Sequence, residues 1–252
     1  MHNIEITAGH SMTGSAAPGH SRAPGHQVYE ALYTAILDRR LAPSTRLSKE
    51  TLGRIFSVST GTVQRALNRL AEEGAVELAP NQVASIARPS ERHAREILEA
   101  RLTIESRVIR LLGNRLTREQ LAELRALVDG QRQCLASGDH AGLLNQSNRF
   151  HLRLAEHAGN PWLVEFLSRL LPRAALNISL SRSRAYTEAS CDEHQALLNA
   201  LAEGDTDQAC ELMARHLNGL FSRLRFTPPP TEDLRAAFHG RLEQIPRPTR
   251  RR

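Results

Sequence analysis

From residue 91 to Phe226 the chain repeats one pattern: apolar residues, mostly leucine, at helical spacing, with no strand-like alternation anywhere between. The pattern breaks at "NRLT", "SGDH", "GNP" and "EGDTD", each of which carries a capping or helix-breaking residue. These breaks predict helices at about 91–113, 117–136, 139–158, 161–180, 188–203 and 205–225. Helices joined by such short connections bury their leucine faces against one another, so the segment reads as an antiparallel helical bundle. Pro172 lies inside the fourth of these helices and is expected to kink or interrupt it.

A different order of elements precedes the bundle. In "QVYEALYTAILDRRL" the residues Val28, Leu32, Ile36 and Leu37 share one helical face, and "APST" ends it. Ser48 caps a second helix, "LSKETLGRIF", with Thr51 in its first turn. "SVS" turns tightly, Ser59 caps a third helix, "STGTVQRALNRLAEEG", and Gly74 stops it. "AVEL" and "VASIA" are short strand candidates around the turn "APNQ". Three helices and a two-stranded wing make a winged helix-turn-helix. The expected fold class is therefore mostly α, a winged helix-turn-helix domain followed by an all-α antiparallel helical bundle. The expected domains are a disordered tail at 1–25, the winged domain at 26–88, the bundle at 91–225 and a Pro/Arg-rich tail at 226–252. "RPSERH" links the two domains, and the last tail has room for one short amphipathic helix.

Composition narrows the function classes. A hydrophobic content of 40% with 24% charge is that of a soluble globular protein. Aromatic residues make up 4%, too few for a platform on which bases or sugars stack. The net charge of +6 favours an anionic partner, although part of it sits in the closing "RPTRRR". Lys49 is the only lysine, which reads as a genomic preference for arginine rather than as chemistry. Cys134, Cys191 and Cys210 are odd in number and lie in helical contexts, which suits unpaired thiols in a reducing cytosol. No apolar run reaches membrane-spanning length, and the first residues lack the apolar block of a signal peptide, so the expected location is cytoplasmic.

The third helix carries the strongest functional signal. A helix that enters the major groove needs small polar residues at its front end, where backbone must approach phosphates and base edges. Ser59, Thr60 and Thr62 supply them, while Val63, Ala66, Leu67 and Leu70 fall on the face that packs inward. Gln64 and Arg65 remain to project outward, suited to adenine and guanine respectively. Arg46, Ser48 and Arg69 complete the candidate DNA-binding set, the arginines as phosphate contacts. The opposing reading is a plain three-helix packing unit with a solvated polar face; the order helix, helix, capped helix, hairpin favours DNA.

The stretch "VYEALYTAILDRRLAPSTRLSKETLGRIFSVSTGTVQRALNRLAEEGAVE" resembles the N-terminal domain of the GntR family of bacterial transcription regulators over nearly all of residues 26–86. Members usually carry "SRTPVREAL" at the reading helix. Here Thr60 and Gln64 stand where that pattern has arginines, and Arg65 stands where it has glutamate. The usual "PG" before the second helix is Pro43-Ser44, and "APNQVAS" lacks the glycine on which the wing usually turns. The resemblance implies binding to a double-stranded DNA operator, one that need not be the family's common sequence. A regulator that has lost operator specificity stays open as an alternative.

Three histidines stand inside leucine-rich helical stretches: His151, His194 and His216. Imidazoles converging between helices suit Zn, Ni or a similar divalent metal. By spacing alone they do not define a site, because the chain has 11 histidines and a buried histidine is more often simply hydrogen-bonded. The stretches "REILEARLTIES", "FHLRLAEHAGNPWL" and "EHQALLNALAEGDTDQACELMARHL" resemble the FCD-type effector domain of the FadR subfamily across most of residues 91–220. In that family's metal-binding members one aspartate and three histidines hold the ion, in the pattern "D-x-x-F-H … H … H-L". Carried over, the histidines are His151, His194 and His216, and the aspartate position is Ser147, a poor ligand when neutral. The resemblance also turns Arg101 toward the ligand cavity, where a guanidinium would clamp a small organic acid. Against this stands a surface salt bridge from Arg101 to Glu105, one helical turn on.

Together these residues point to a ligand-responsive transcription regulator, acting as a homodimer on a pseudo-palindromic site, with no enzymatic activity. The rival is a metal-dependent enzyme whose three-histidine centre activates water. It requires a general base near the centre; no acid on the His151 face has a claim, and Glu156 and Glu165 sit in ordinary helical contexts.

Overall fold

The computed structural model describes residues 24–79, 82–88, 90–113, 115–181 and 188–224. The two expected tails lie outside the described residues, except that the first helix begins at Pro24, inside the expected N-terminal tail. Proline suits that first turn, where its missing N–H would have no helical partner.

Helix α1 (Pro24–Leu37) buries Val28, Leu32, Ile36 and Leu37, the face that spacing selects. Helix α2 (Lys49–Phe56) starts at Ser48, whose Oγ accepts the Thr51 N–H at 3.2 Å. It ends at Ser57 in the left-handed region, at φ 55°. Helix α3 (Thr60–Glu72) starts at Ser59 in the same manner and leads to Gly74, whose φ of +76° turns the chain toward the wing. The wing departs from expectation. Strands β2 (Val76–Glu77) and β3 (Ala84–Ile86) pair as expected, but β1 (Arg46–Leu47), just before α2, joins the other edge of β3. The sheet is three-stranded, in the order β1-β3-β2 and antiparallel throughout. A two-residue strand is too short to show alternation, so only tertiary pairing defines it.

The bundle consists of α4 (Glu91–Leu112), α5 (Arg118–Ser137), α6 (His140–His157), α7 (Pro161–Leu180), α8 (Glu188–Glu203) and α9 (Thr206–Ser222). These fall where the breaks place them, and the caps explain why. Thr117 and Gln120 form a capping box at α5; Asp139, Asn160 and Asp205 cap α6, α7 and α9. Of the two outcomes expected at Pro172, interruption does not occur: α7 continues through it as a single helix. Buried Leu167, Leu171, Ala175 and Ile178 hold both halves against the core, and this packing outweighs the lost backbone hydrogen bond. Among the described residues no helix is long and apolar enough to cross a membrane.

Helix α7 also meets the winged domain. The buried Ser179 hydroxyl lies 2.6 Å from the carbonyl of Ile36 and 2.9 Å from that of Leu37, at the end of α1. Arg173 Nη2 donates to the carbonyl of Glu72, at the end of α3, at 2.6 Å. Asp38 Oδ1 accepts the Ala141 N–H, at the start of α6, at 3.0 Å. Helix ends leave carbonyls and N–H groups without intrahelical partners, so polar side chains from the other domain satisfy them here. Ser179→Ala removes a buried donor from two carbonyls and is expected to destabilise the protein by about 1–3 kcal/mol. Hydrogen exchange across residues 36–42, followed by mass spectrometry, should speed up in that variant if the junction loosens.

Candidate DNA-reading face and histidine centre

The front of α3 is polar and structured by its own side chains. Ser59 Oγ accepts the Thr62 N–H at 3.2 Å and lies 3.0 Å from Thr62 Oγ1. Arg65 Nη2 donates to Thr62 Oγ1 at 3.2 Å. Ser59, Thr60 and Arg65 are exposed, but Thr62 is buried, its hydroxyl holding Ser59 and Arg65 in place rather than facing solvent. Gln64 is half-buried and donates to Asn68 Oδ1 at 2.7 Å. The inward face is as expected: Val63, Ala66, Leu67 and Leu70 are all buried.

A groove runs between α3 and the wing, lined by Ser48, Lys49, Gln64, Leu78, Gln82 and Val83. Arg46 is exposed on β1, opposite Ser85. Arg69 is exposed yet engaged: its guanidinium carbon stands 3.6 Å from the centre of the Tyr29 ring, and its Nε is 3.4 Å from Glu73 Oε1. The Tyr29 hydroxyl donates to the same carboxylate at 2.8 Å. Burial, then the Glu73 charge, pushes the Tyr29 hydroxyl well above its usual range, so it remains a donor.

In the bundle, α6, α8 and α9 bring His151, His194 and His216 together, all three fully buried, with one nitrogen of each within 4.8 Å of the others. Each ring is approached from another helix or another turn. His216 Nδ1 lies 2.8 Å from Glu193 Oε2. His194 Nδ1 lies 2.8 Å from Gln131 Oε1, on α5. His151 Nδ1 lies 2.6 Å from Glu105 Oε2, on α4, a close approach without hydrogen-bond alignment. The opposite nitrogens of His194 and His216, both Nε2, are 3.1 Å apart. The Phe150 ring stacks on His194 with centroids 4.3 Å apart and closes one side. Ser147, one turn before His151, is buried beside them.

Burial sets the charge states. Desolvation holds His151 down at about 4 despite the neighbouring Glu105 carboxylate, and it lowers His194 and His216 as well. All three rings are therefore neutral near pH 7. Burial on its own would raise the Glu105 carboxyl; the Arg101 guanidinium beside it overrides this and holds it below its usual range. Burial likewise opposes ionisation of Glu193, which His216 and Arg223 nonetheless keep below its usual range. Carboxylates only accept, so His216 carries its proton on Nδ1. The Gln131 oxygen asks the same of His194. The two Nε2 lone pairs then face one another at 3.1 Å, an arrangement that a shared cation relieves. His151 Nε2, buried, has no hydrogen-bond partner among the described residues. Neutral imidazoles with anchored outer nitrogens and inward lone pairs fit a borderline divalent metal.

The Arg101–Glu105 salt bridge exists, with Nε 2.6 Å from Oε1, but it is not on the surface: the residues are 3% and 1% exposed. Arg101 Nη2 is buried without a hydrogen-bond partner among the described residues. With Asn177, Arg101 supplies the polar lining of a small pocket walled by apolar residues of α4, α7 and α9, including Ile97, Ile178, Leu217 and Phe221. The expectation that no acid has a claim on the His151 face is corrected here, because Glu105 reaches the ring from α4. Glu193 and Gln131 are likewise partners that the sequence does not mark. Glu193 is adjacent to His194 in sequence but serves His216, and nothing in the local pattern around Gln131 marks it.

A winged helix-turn-helix joined to a helical domain with an enclosed polar centre is the architecture of a DNA-binding regulator. The family of bacterial regulatory proteins named gntR matches residues 24–85, and the FCD domain family matches residues 96–219. The chain belongs to the GntR family of bacterial transcription regulators and carries an FCD domain. It is 29% identical over 217 residues to the HTH-type transcriptional repressor NanR of Cronobacter sakazakii, covering 77% of this chain and 83% of that protein. It is 28% identical over 200 residues to the HTH-type transcriptional repressor GlaR of Escherichia coli, covering 75% and 90%. Among solved structures, E. coli McbR/YncC superposes with a TM-score of 0.64 at 25% identity, covering 79% of this chain and 96% of that one. A GntR regulator from Rhodococcus sp. RHA1 shares the fold, with a TM-score of 0.67 at 21% identity over 79% and 95%.

Arg101→Ala leaves the Glu105 carboxylate buried without its cation and is expected to cost about 3–5 kcal/mol of stability. Calorimetric melting measures this, and the double variant Arg101→Ala/Glu105→Leu should recover most of the loss.

Proposed function

We propose that the protein is an effector-responsive transcriptional repressor, and that α3 reads one half of a two-fold operator while a second copy reads the other. NanR and GlaR are named repressors, which supports that mode. Ser59 and Thr60 bring the front of α3 to the backbone; Gln64 and Arg65 address base edges; Arg46, Ser48 and Arg69 address phosphates. Thr62 contributes by aligning Arg65. Dimerisation through the bundle is part of this reading, since two reading heads need a fixed spacing.

The effector is a small organic acid. The buried, unpartnered Nη2 of Arg101 and the adjoining apolar pocket support it. His151, His194 and His216 would hold Zn or Ni, with the neutral Ser147 contributing at most a weak contact. When bound, the metal supplies a Lewis-acidic position for an effector oxygen. The observation that carries the reading is the double role of α7. It lines the effector pocket with Ala174, Asn177 and Ile178 and grips the reading head through Arg173 and Ser179. A ligand that moves α7 therefore moves the ends of α1 and α3.

Selection of bound duplexes from a random pool, with and without Zn, Ni and candidate organic acids, tests this directly. An enriched palindromic sequence whose binding responds to an acid is the expected result; association that tracks charge alone would overturn the reading. Gln64→Ala and Arg65→Ala should each lose about 1–3 kcal/mol of discrimination at one base pair. Arg46→Ala should weaken all sequences alike and reduce the salt slope by about one. Arg101→Lys keeps a cation beside Glu105 but removes the guanidinium fork, so the acid response should fall while operator affinity persists.

A further inference from the structure

We infer that Gln131 sets the tautomer of His194, and through it decides whether the histidine centre is ready for a divalent metal or satisfied without one. This rests on the proposal above that the centre binds metal.

The three imidazoles do not stand in equal surroundings. Glu193 meets His216 Nδ1 at one carboxylate oxygen, 2.8 Å away, and the Arg223 guanidinium at the other, 3.2 Å away, so it only accepts and His216 holds its proton on Nδ1 whatever happens at the centre. Its Nε2 therefore always presents a lone pair. His194 Nε2, 3.1 Å away, has two options: a second lone pair, which requires a cation between them, or an N–H that donates to His216. Which one it adopts depends on what faces its other nitrogen. That residue is Gln131, fully buried, and an amide has both an acceptor and a donor end.

With Gln131 Oε1 toward His194 Nδ1, as in the structure, His194 carries Nδ1–H and its Nε2 lone pair faces the centre. This form is poised for metal but costly without it: two lone pairs oppose each other, and Gln131 Nε2 is buried without a hydrogen-bond partner among the described residues. A half-turn of the amide reverses both. Gln131 Nε2 then donates to His194 Nδ1, and His194 Nε2–H donates to His216 Nε2. The amide oxygen is left short of a donor, which buried carbonyl oxygens tolerate better than N–H groups do. The second form needs no cation, so the centre can release its metal without leaving opposed lone pairs in a sealed core. With Ser147 neutral and Glu105 and Glu193 already committed to Arg101 and Arg223, Gln131 is the outer partner through which affinity can be set.

The test uses the full chain with Zn and Ni salts as probes. In histidine-15N-labelled wild type, long-range 1H–15N spectra should show His194 as the Nε2–H tautomer without metal and as Nδ1–H with Zn. His216 should stay Nδ1–H in both and serves as the internal reference. Titration calorimetry should find Zn bound at least about tenfold tighter by Gln131→Glu, an acceptor-only partner, and about 10–100-fold weaker by Gln131→Met. The melting-temperature gap between Zn-loaded and metal-free protein should widen in Gln131→Glu and narrow in Gln131→Met. An unchanged His194 tautomer on metal loading of the wild type, or a Gln131→Glu affinity equal to wild type, overturns the inference alone. If the wild type binds neither metal at micromolar concentration, the metal proposal falls as well.

Discussion

Removal of water from the middle of the bundle is the constraint on which the rest depends. Arg101, Glu105, Gln131, Ser147 and the three histidines sit at or near zero exposure, surrounded by leucine and Phe150. A buried ion pair such as Arg101–Glu105 gains little over an apolar pair of equal volume, because desolvating two charges offsets most of their attraction. Stability is therefore a weak reason for such a cluster. Desolvation does have a chemical consequence: it keeps the imidazoles neutral, with lone pairs to offer, and it leaves Arg101 Nη2, Gln131 Nε2 and His151 Nε2 without a hydrogen-bond partner among the described residues.

The same constraint links the centre to the reading head. A helix that lines a small pocket in a close-packed core has little room to shift without its far face shifting too. The far face of α7 ends on backbone carbonyls of α1 and α3, where Ser179 and Arg173 take the place of missing intrahelical donors. These polar contacts sit beside apolar packing that runs continuously from the winged domain into the bundle.

The reading face shows a comparable division of labour. Two positions that usually carry arginine in this family hold Thr60 and Gln64, and Arg69 is drawn back onto Tyr29 and Glu73. Arg65 is steadied by Thr62, itself braced against the helix cap Ser59. The polar front of α3 thus rests on a short chain of side-chain contacts, Ser59 to Thr62 to Arg65, rather than on a band of arginines.

Most of the fold was legible before any coordinates. Leucine periodicity and local caps locate the six bundle helices, because both act within one or two turns of the chain. Ser48 and Ser59 mark helix starts for the same reason. Where local and long-range preferences conflict, the sequence reading fails: Pro172 signals a break that core packing on both sides overrides, and β1 is too short to be seen without its partner strand. The three histidines can be named from sequence, but their convergence cannot. Glu105, Gln131 and Glu193 come from three different helices to meet rings on three helices, and no spacing along the chain encodes those pairings. Residue identity alone thus determined which helices form and which chemical groups they carry. Tertiary packing decided which groups lost their water and which partners they met there, because burial and contact between distant segments are properties of the assembled core.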